Sequence, residues 1–289
     1  MIPRRSTERV DVQQVHGGQT TRRQDIVAVE EPLEIRLAFE VDGKYIEKSI
    51  SITMRTPGDD FELTAGFFFS EGIIQSRDEL ERISYCVGSD KEKQEYNVVS
   101  VQLSSGFQFD PERLLRHFYT TSSCGVCGKA SLEAIEMRGC PVLPKDRPVI
   151  SEALIHALPE KLKRAQSVFE KTGGLHAAAL FDAQGHLIVL REDVGRHNAV
   201  DKLVGMQLLA NKLPLYDYVL MVSGRASFEI MQKALMAGVP FVVAVGAPSS
   251  LAVDVARKFG MTLLGFVRGE SFNIYAGAQR VHAANSSAT

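Results

Sequence analysis

Two cysteines in the segment S-S-C-G-V-C-G are the first candidates for chemistry in this chain. Cys124 and Cys127 are separated by two residues, and Gly125 and Gly128 allow unusual backbone angles and the close approach of another molecule. If Cys127 lies near the start of a following helix, free N–H groups there favour the thiolate, and Lys129 adds positive charge. A thiolate can accept a second sulfur as a persulfide and pass it on, or it can exchange disulfides. The pattern predicts a reactive thiolate without separating sulfur relay from dithiol redox exchange.

The remaining cysteines weigh against a structural zinc site. The chain has four cysteines in total, and Cys86 and Cys140 lack the spacing of a second ligand pair. Structural zinc is normally held by four Cys or His ligands, so we expect no zinc. A thioredoxin-like dithiol is expected directly after a strand in a βαβ unit, whereas this cysteine segment has the composition of a loop. An isolated C-x-x-C pair fits a reducing compartment, where such pairs are catalytic or metal-binding more often than structural.

Two strand-to-helix junctions carry residues suited to binding phosphate. Residues 223–227 (S-G-R-A-S) and 246–250 (G-A-P-S-S) each follow a predicted apolar strand and precede a predicted helix. Free N–H groups at such junctions attract anions, and the guanidinium of Arg225 has the geometry to pair with a phosphate through two hydrogen bonds. The candidate ligands of the first junction are therefore Ser223 and Arg225. The alternative is that the serines at the two helix starts are only caps, namely Ser227 and Ser249.

Further polar residues lie at ends of predicted elements. Asp193, Arg196 and His197 follow a strand and precede a helix, so they either cap that helix or line a pocket. His176 starts an apolar strand, where a hydrogen-bonded core histidine is as good an explanation as a functional one. Arg268 and the glycine after it are expected to end the last strand, at the edge where open α/β sheets bind ligands.

The composition is that of an ordinary globular protein. Hydrophobic residues make up 45% of the 289 residues and charged residues 24%. The net charge of −2 shows no basic excess, so nucleic acid is not an expected partner. No apolar run approaches the ~20 residues of a membrane span. Arg4 and Arg5 are followed by polar residues rather than an apolar stretch, so we expect no export signal and a cytoplasmic location.

The hydrophobic pattern divides the chain into four parts. Residues 1–25 are polar, without a period, and are predicted to be a disordered tail. Residues 26–120 are predicted to be an α+β region, the cysteine loop occupies 121–130, and an α/β domain is predicted for 131–289. The elements predicted for the α+β region are a strand at 33–41, a hairpin turn at Asp42-Gly43, a strand at 45–54, a helix with Pro57 in its first turn and a stop at Gly72, a strand at 97–103 and a short helix after Pro111.

The C-terminal part alternates apolar strands with helices. This order predicts a three-layer α/β domain with a mixed sheet. The predicted helices are at 128–138, 151–169, 196–210, 226–237 and 249–259, and the predicted strands are at 176–181, 186–190, 218–222, 241–245 and 261–267, with a hairpin turn at Gln184-Gly185.

Seven motifs resemble the FdhD/NarQ family, the formate dehydrogenase accessory sulfurtransferases. They are M-R-T-P-G-D-D with A-G-F-F-F-S-E-G-I-I, then T-S-S-C-G-V-C-G-K, T-G-G-L-H-A-A-A-L-F, R-E-D-V-G-R-H-N-A-V-D-K-L, S-G-R-A-S-F-E-I-M-Q-K and A-P-S-S-L-A-V. The motifs occur in the order of the family, and the similarity covers about residues 26–282.

The resemblance implies a function and a set of residues. Such proteins take sulfur from a cysteine desulfurase and pass it to the molybdenum or tungsten bis(guanine dinucleotide) cofactor of formate dehydrogenase. They are cytoplasmic homodimers. Cys124 matches the family's persulfide carrier, and Cys127 matches a second cysteine whose role is less settled. GDP is expected to bind as a fragment of the cofactor. The family's cofactor-binding stretch falls on Phe266, Val267, Arg268, Gly269, Glu270 and Ser271. With the resemblance, the cluster of Asp193, Arg196 and His197 is also assigned to the cofactor pocket.

The family's C-terminal region is similar in fold to cytidine deaminases, which invites a chemical check. Those enzymes need an H-x-E motif and a P-C-x-x-C motif to bind zinc and move protons. Here His176 is followed by two alanines, and no cysteine follows Cys140, so a deaminase reaction is not expected. Two other functions stay open from the sequence: a chaperone that delivers the cofactor without chemistry of its own, and a dithiol oxidoreductase.

Overall fold

The computed structural model describes residues 5–41, 43–86, 95–104, 132 and 139–282 of the chain. The predicted cysteine loop, with Cys124 and Cys127, lies outside these residues. The short helix predicted after Pro111 and nearly all of the helix predicted at 128–138 also lie outside them. These three predictions therefore stay predictions.

Residues 7–28 form a β-hairpin, so the prediction of a disordered tail at 1–25 is wrong. Strand β1 (Thr7–His16) pairs with β2 (Gln19–Ala28) through ten antiparallel residue pairs. Gly17 and Gly18 form the turn with φ of 56° and 80°, angles that suit a two-residue hairpin turn. Most side chains of the hairpin are polar and exposed, so it lacks the apolar alternation by which strands are recognised in sequences.

A four-stranded sheet follows the hairpin. Its strand order is β4-β3-β6-β5, with β3 parallel to β6 and the other pairs antiparallel. Leu33, Ile35, Leu37 and Phe39 alternate along β3 and are all buried, as their period of two predicts. The strands are β3 (Glu31–Val41), β4 (Lys44–Arg55), β5 (Leu80–Tyr85) and β6 (Val98–Leu103).

The first helix, α1 (Asp60–Ser70), starts later than predicted. Asp59 is the N-cap residue with φ of 57°, so Pro57 precedes the helix instead of lying in its first turn. Gly72, with φ of 73°, follows the end of the helix as the sequence predicts. The helix is largely buried because one side packs on the four-stranded sheet and another side on a helix of the C-terminal part.

The C-terminal part contains a mixed sheet, as predicted, with six strands where the sequence predicts five. The strand order is β13-β12-β11-β10-β8-β9, in which β10, β11 and β12 are parallel and the outer pairs are antiparallel. Its strands are β8 (His176–Phe181), β9 (Leu187–Asp193), β10 (Val219–Val222), β11 (Phe241–Ala244), β12 (Thr262–Arg268) and β13 (Ser271–Ala276); the helices are α2 (Glu152–Ala165), α3 (Phe169–Thr172), α4 (Arg196–Leu209), α5 (Phe228–Met236) and α6 (Ser250–Lys258), and β7 (Ile150–Ser151) pairs with β14 (Val281–His282).

Helices cover both faces of the six-stranded sheet, which confirms the three-layer prediction. Along β10, Val219 and Met221 face a core that includes Leu158 and Leu162 of α2. Leu220 on the same strand faces the opposite core, which contains apolar residues of α4, α5 and α6. Alternate residues of each central strand thus enter different cores, so all side chains of β10 and β11 are buried.

Two predicted boundaries in the C-terminal part are wrong. The helix predicted for 151–169 ends at Ala165, and α3 begins separately because the carboxylate of Glu192 accepts hydrogen bonds from the N–H groups of Val168 and Phe169, at 3.1 and 2.8 Å. The strand predicted at 186–190 continues to Asp193 as β9. Arg268 ends β12, as predicted, but β12 is not the last strand of the sheet, because the chain turns and returns as β13. Of the described helices, none is both long and apolar enough to cross a membrane.

Helices α1 and α4 join the two sheets through a close glycine contact. A Cβ added at Gly66 of α1 would lie 1.9 Å from the carbonyl oxygen of Asp201, and one added at Gly205 of α4 would lie 1.8 Å from that of Glu62. Neither helix backbone could approach so closely with any side chain at these positions. One core cluster therefore runs from β3 through α1 and α4 to α6.

A buried ion pair adds a second link between the two parts. Lys202 Nζ of α4 lies 2.8 Å from Asp193 Oδ2, and both side chains are almost fully buried. Asp193 also accepts the backbone N–H of Thr56 at 3.1 Å, and Lys202 donates to the carbonyl of Thr56 at 2.9 Å. The motifs M-R-T-P-G-D-D and R-E-D-V-G-R-H-N thus meet inside the molecule.

Candidate functional site

The ends of the three parallel strands lie side by side at one edge of the six-stranded sheet. The N–H of Gly246, after β11, donates to the carbonyl of Gly224, after β10, at 3.0 Å. The N–H of Phe266, late in β12, donates to the carbonyl of Gly246 at 3.1 Å. The two predicted junctions and the start of the 266–271 stretch are therefore neighbours. Ligands of open α/β sheets bind at this edge.

The glycines at this edge are required by the packing. A Cβ added at Gly265 would lie 2.9 Å from Pro248 Cδ and 2.9 Å from the ring of Tyr275, while a Cβ at Gly246 would lie 3.0 Å from the carbonyl oxygen of Gly224. The role of Gly265 was not predicted. Its signal in the sequence is a single glycine inside an otherwise apolar strand, which marks a bulge or a close approach, and the pairing of β12 with β13 does shift between Gly265 and Arg268.

Ser223 is held against the neighbouring strand β8. Its backbone N–H donates to the carbonyl of Ala177 at 3.0 Å, and its Oγ accepts the N–H of Ala177 at 2.9 Å. Because the hydroxyl only accepts in this pair, its own hydrogen remains available to an acceptor such as a phosphate oxygen.

The serines at the two helix starts behave differently. Ser249 Oγ accepts the N–H of Ala252 at 3.2 Å and caps α6, which confirms the simpler explanation for this residue. Ser227 precedes α5 and makes no such cap bond. Its Oγ lies 3.2 Å from His197 Nε2 instead. Only Ser227 therefore faces the predicted site residues.

The first junction keeps free donors. Among the described residues, no acceptor receives the backbone N–H groups of Gly224 and Arg225. The side chain of Arg225 is exposed and forms no ion pair with the part of the chain that the structure describes. Two N–H groups and a guanidinium directed to solvent can hold an anion.

His197 and His176 both lie at this edge of the sheet. His197 stands at the start of α4, with Ser227 on one side and Glu229 Oε2 3.8 Å from its Nε2. Burial and the charge of Arg196 lower the pKa of His197. Burial and Arg196 also lower the pKa of His176, whose Nδ1 would lie 3.3 Å from a Cβ at Gly224. Both imidazoles are therefore biased towards the neutral form.

Asp193 does not line the site, although the sequence placed it with Arg196 and His197. Its carboxylate is fully buried in the ion pair with Lys202. Its Oδ1 accepts the N–H of Gly195 at 2.8 Å and the side-chain amide of Asn198 at 3.0 Å. Asp193 thus fixes the first turn of α4, which carries Arg196 and His197.

The 266–271 stretch is divided between the core and the surface. Phe266 is exposed and has φ of 56°, a backbone region that a phenylalanine rarely adopts. Val267 is 0% exposed and belongs to the core that faces α2, so its side chain cannot touch a ligand. The rest of the stretch forms the exposed turn between β12 and β13: Arg268, Gly269 with φ of 54°, Glu270 and Ser271.

The site therefore belongs to an open, mixed α/β sheet with a second, smaller sheet attached. A solved protein from Desulfotalea psychrophila, described as a putative formate dehydrogenase accessory protein, has this fold with a TM-score of 0.72, at 24% identity over 96% of this chain and 100% of that one.

Residues 29–282 match the FdhD/NarQ family, and the chain belongs to it. Proteins named sulfur carrier protein FdhD are 52% identical in Streptomyces avermitilis, over 96% of each chain, and 50% identical in Mycolicibacterium paratuberculosis, over 95% of this chain and 98% of that protein.

Proposed function

We propose that this protein is a sulfur carrier that delivers persulfide sulfur to the bis(guanine dinucleotide) cofactor of molybdenum or tungsten used by formate dehydrogenase. The observation that carries the proposal is the 52% identity, over 96% of the chain, to a relative named sulfur carrier protein FdhD. The free donors at the edge of the six-stranded sheet support it, because a nucleotide cofactor needs such a surface for its phosphates.

The sulfur chemistry falls to Cys124. Its thiolate attacks the terminal sulfur of a persulfide on a cysteine desulfurase, a new S–S bond forms on Cys124, and the desulfurase cysteine leaves as a thiolate. In the delivery step this S–S bond breaks with two electrons from the reduced metal of the cofactor, which keeps the sulfur as sulfide, and Cys124 returns to thiolate. Cys127 is close enough in sequence to tune or relay this step.

Cys86 fits this chemistry less well. Cys86 is partly buried, and burial raises the pKa of its thiol, with a further contribution from the nearby carboxylate of Glu47. A raised pKa keeps the side chain in the thiol form, which is a poor nucleophile.

Cofactor binding is assigned to the sheet edge. The diphosphate groups of the cofactor bind the N–H groups of the first junction together with Ser223 and Arg225. His197, at the start of α4, adds a further contact to the cofactor. The exposed turn that carries Arg268 lies next to this surface, beyond Phe266. The GDP fragment should bind there on its own. By resemblance to its family the chain acts as a homodimer in the cytoplasm.

Mass spectrometry after incubation with a cysteine desulfurase and cysteine tests the sulfur step. The full chain should gain the mass of one sulfur, and Cys124→Ala should not, while Cys86→Ala and Cys140→Ala serve as matched controls that keep the gain. Sulfur found on Cys86 or Cys140 in the Cys124→Ala variant and in the wild type alike would contradict the assignment.

The same variants separate the two other functions. A chaperone without chemistry would still yield active formate dehydrogenase with Cys124→Ala. A dithiol oxidoreductase would reduce insulin and form a disulfide between Cys124 and Cys127. We expect inactive formate dehydrogenase and no insulin reduction.

A further inference from the structure

Arg196 is a cation at the sheet edge whose side chain forms no ion pair with the described residues, and the carboxylate of Glu229 acts on it only through a charge interaction at longer range. Arg196 is the first residue of α4 and is partly buried. Its Nε is buried and meets no hydrogen-bond partner, and no ion pair or hydrogen bond joins its side chain to the described residues. Buried donors without partners are rare, because each leaves a desolvation cost uncompensated. The missing partner of such a group is most simply an anion that binds at this position.

The position of Arg196 is fixed by its neighbours. The carboxylate of Asp193 holds the N–H of Gly195 and the amide of Asn198, so the first turn of α4 cannot shift freely. Arg196 Cδ would lie 3.9 Å from a Cβ at Gly224, which places the side chain beside the free N–H groups of the first junction. The side chain of Arg196 and two peptide N–H groups without an acceptor therefore lie close together, and each can donate to an anion.

Two neutral imidazoles flank this cation. His176 faces Gly224 and feels the charges of Arg196 and Asp193, and His197 feels those of Arg196, Glu229 and Lys233 as well as His176. Burial and Arg196 lower the pKa of both rings, since two further cations would repel the guanidinium. An anion bound between the two imidazoles and Arg196 would offset this repulsion and favour protonated imidazoles.

We propose that Arg196, His176 and His197 form a proton-linked subsite for a nucleoside diphosphate, in which binding of the phosphates draws protons onto the imidazoles. The inference rests on the proposed function, because the diphosphate is that of the guanine nucleotide cofactor. The sequence, with the family resemblance, assigns Arg196 and His197 to the pocket and leaves the role of His176 open.

The sign of the pH dependence follows from linkage. The imidazoles have pKa values below the ordinary 6.5 in the free protein, and a bound anion raises them. Diphosphate affinity therefore rises as the pH falls from the alkaline side through the pKa of the bound state, and it levels off below the pKa of the free state. Binding on the alkaline side depends on Arg196 and the N–H groups alone.

Calorimetry on the full chain tests the subsite with GDP and with inorganic pyrophosphate, on both sides of pH 6.5 and in two buffers of different ionisation enthalpy. The wild type should bind both ligands and take up protons. Arg196→Gln should weaken both by roughly 10- to 100-fold, as loss of a charged hydrogen bond does. Arg257→Gln, which removes an exposed positive charge from α6, is the matched control and should bind like the wild type.

The imidazoles are tested with the same ligands. The His176→Gln variant should still bind both ligands on the alkaline side of pH 6.5 and should take up fewer protons on binding. The phosphates of the ligands also titrate in this range, but their contribution is the same for the variant and the wild type and cancels in the difference. Equal affinity in Arg196→Gln and Arg257→Gln overturns the subsite while the proposed function stands. A wild type that binds neither ligand at any pH overturns both. Arg196→Lys, which keeps the charge but not the paired N–H groups, should bind pyrophosphate at an intermediate affinity.

Discussion

At the level of single residues, two serines with the same sequence context do different things. Ser249 caps a helix through the N–H of Ala252, whereas Ser227 leaves its own helix uncapped and contacts His197. The sequence cannot tell these apart, since both serines follow an apolar strand and precede a helix. The difference arises because His197, which belongs to α4, contacts the hydroxyl of Ser227.

This difference gives a paired prediction. Ser249→Ala should lower the free energy of unfolding by about 1 kcal/mol, the usual cost of a lost N-cap, whereas Ser227→Ala should change it much less. Ser227→Ala should instead weaken GDP binding, since His197 loses its contact with the Ser227 hydroxyl. Denaturant unfolding and calorimetry on both variants check this. Equal destabilisation of the two variants would show that both serines are caps.

At the level of elements, three helices meet around a buried ion pair. Lys233 Nζ of α5 lies 2.9 Å from both carboxylate oxygens of Asp201 of α4, and Ser70 Oγ of α1 donates to the same carboxylate at 2.9 Å. Burial raises the pKa of Asp201, and Lys233 and Ser70 partly offset this effect.

Lys233→Met should therefore destabilise the protein by about 3–5 kcal/mol at neutral pH, because the carboxylate of Asp201 stays buried without its counterion. The loss should shrink at acidic pH. Without Lys233 the folded-state pKa of Asp201 is raised further, so the stability is fully present below the unfolded-state pKa and is lost as the pH rises from there through the folded-state pKa. Urea unfolding at several pH values measures this. A loss that does not depend on pH would contradict the argument, and adding Asp201→Asn should restore much of the stability.

The contact between α1 and α4 belongs to the same level. Gly66→Ala should push the helices apart and cost about 1–3 kcal/mol of unfolding free energy, since the new Cβ would lie 1.9 Å from a backbone oxygen. Gly174→Ala is the matched control, because its Cβ meets nothing closer than 3.7 Å. Thermal unfolding compares the two. A Gly66→Ala variant as stable as the control would show that the helices are not in close contact.

The elements also show what a sequence can predict. Strand β3 and the parallel strands β10 and β11 were predicted because their burial follows a simple period or a continuous apolar run. The β1–β2 hairpin was missed because its pairing depends on backbone hydrogen bonds and the turn at Gly17 and Gly18 rather than on apolar side chains. Strand β13 was missed for a similar reason, since Ser271, Asn273 and Ile274 on it are exposed.

At the level of the whole molecule, the sequence predicts which edge of the six-stranded sheet carries the site, but it does not predict which side chains face it. Parallel strands bring their ends together, so the junctions after β10 and β11 had to be neighbours. The sequence does not predict that the side chains of Asp193 and Val267 are buried. Asp193 is buried because it pairs with Lys202, and Val267 is buried because a bulge in β12 shifts the register there. The sequence also gave no sign that the N-terminal sheet shares a core with the α/β part, since that depends on two glycines 139 residues apart that meet only in the fold.

The shared core leads to a prediction about cooperativity. Leu33 and Val101 of the small sheet lie in the same cluster as Leu220 and Val242 of the large one, although the sequence assigned them to separate regions. Neither part can lose its structure without exposing the apolar face of α1 or α4. Hydrogen exchange under increasing denaturant should therefore give the slowest amides of β6 and β11 the same opening free energy. If the opening free energy of β6 were several kcal/mol lower than that of β11, the two sheets would be independent folding units. In the Gly66→Ala variant, where the contact between α1 and α4 is weakened, the opening free energies of β6 and β11 should begin to differ.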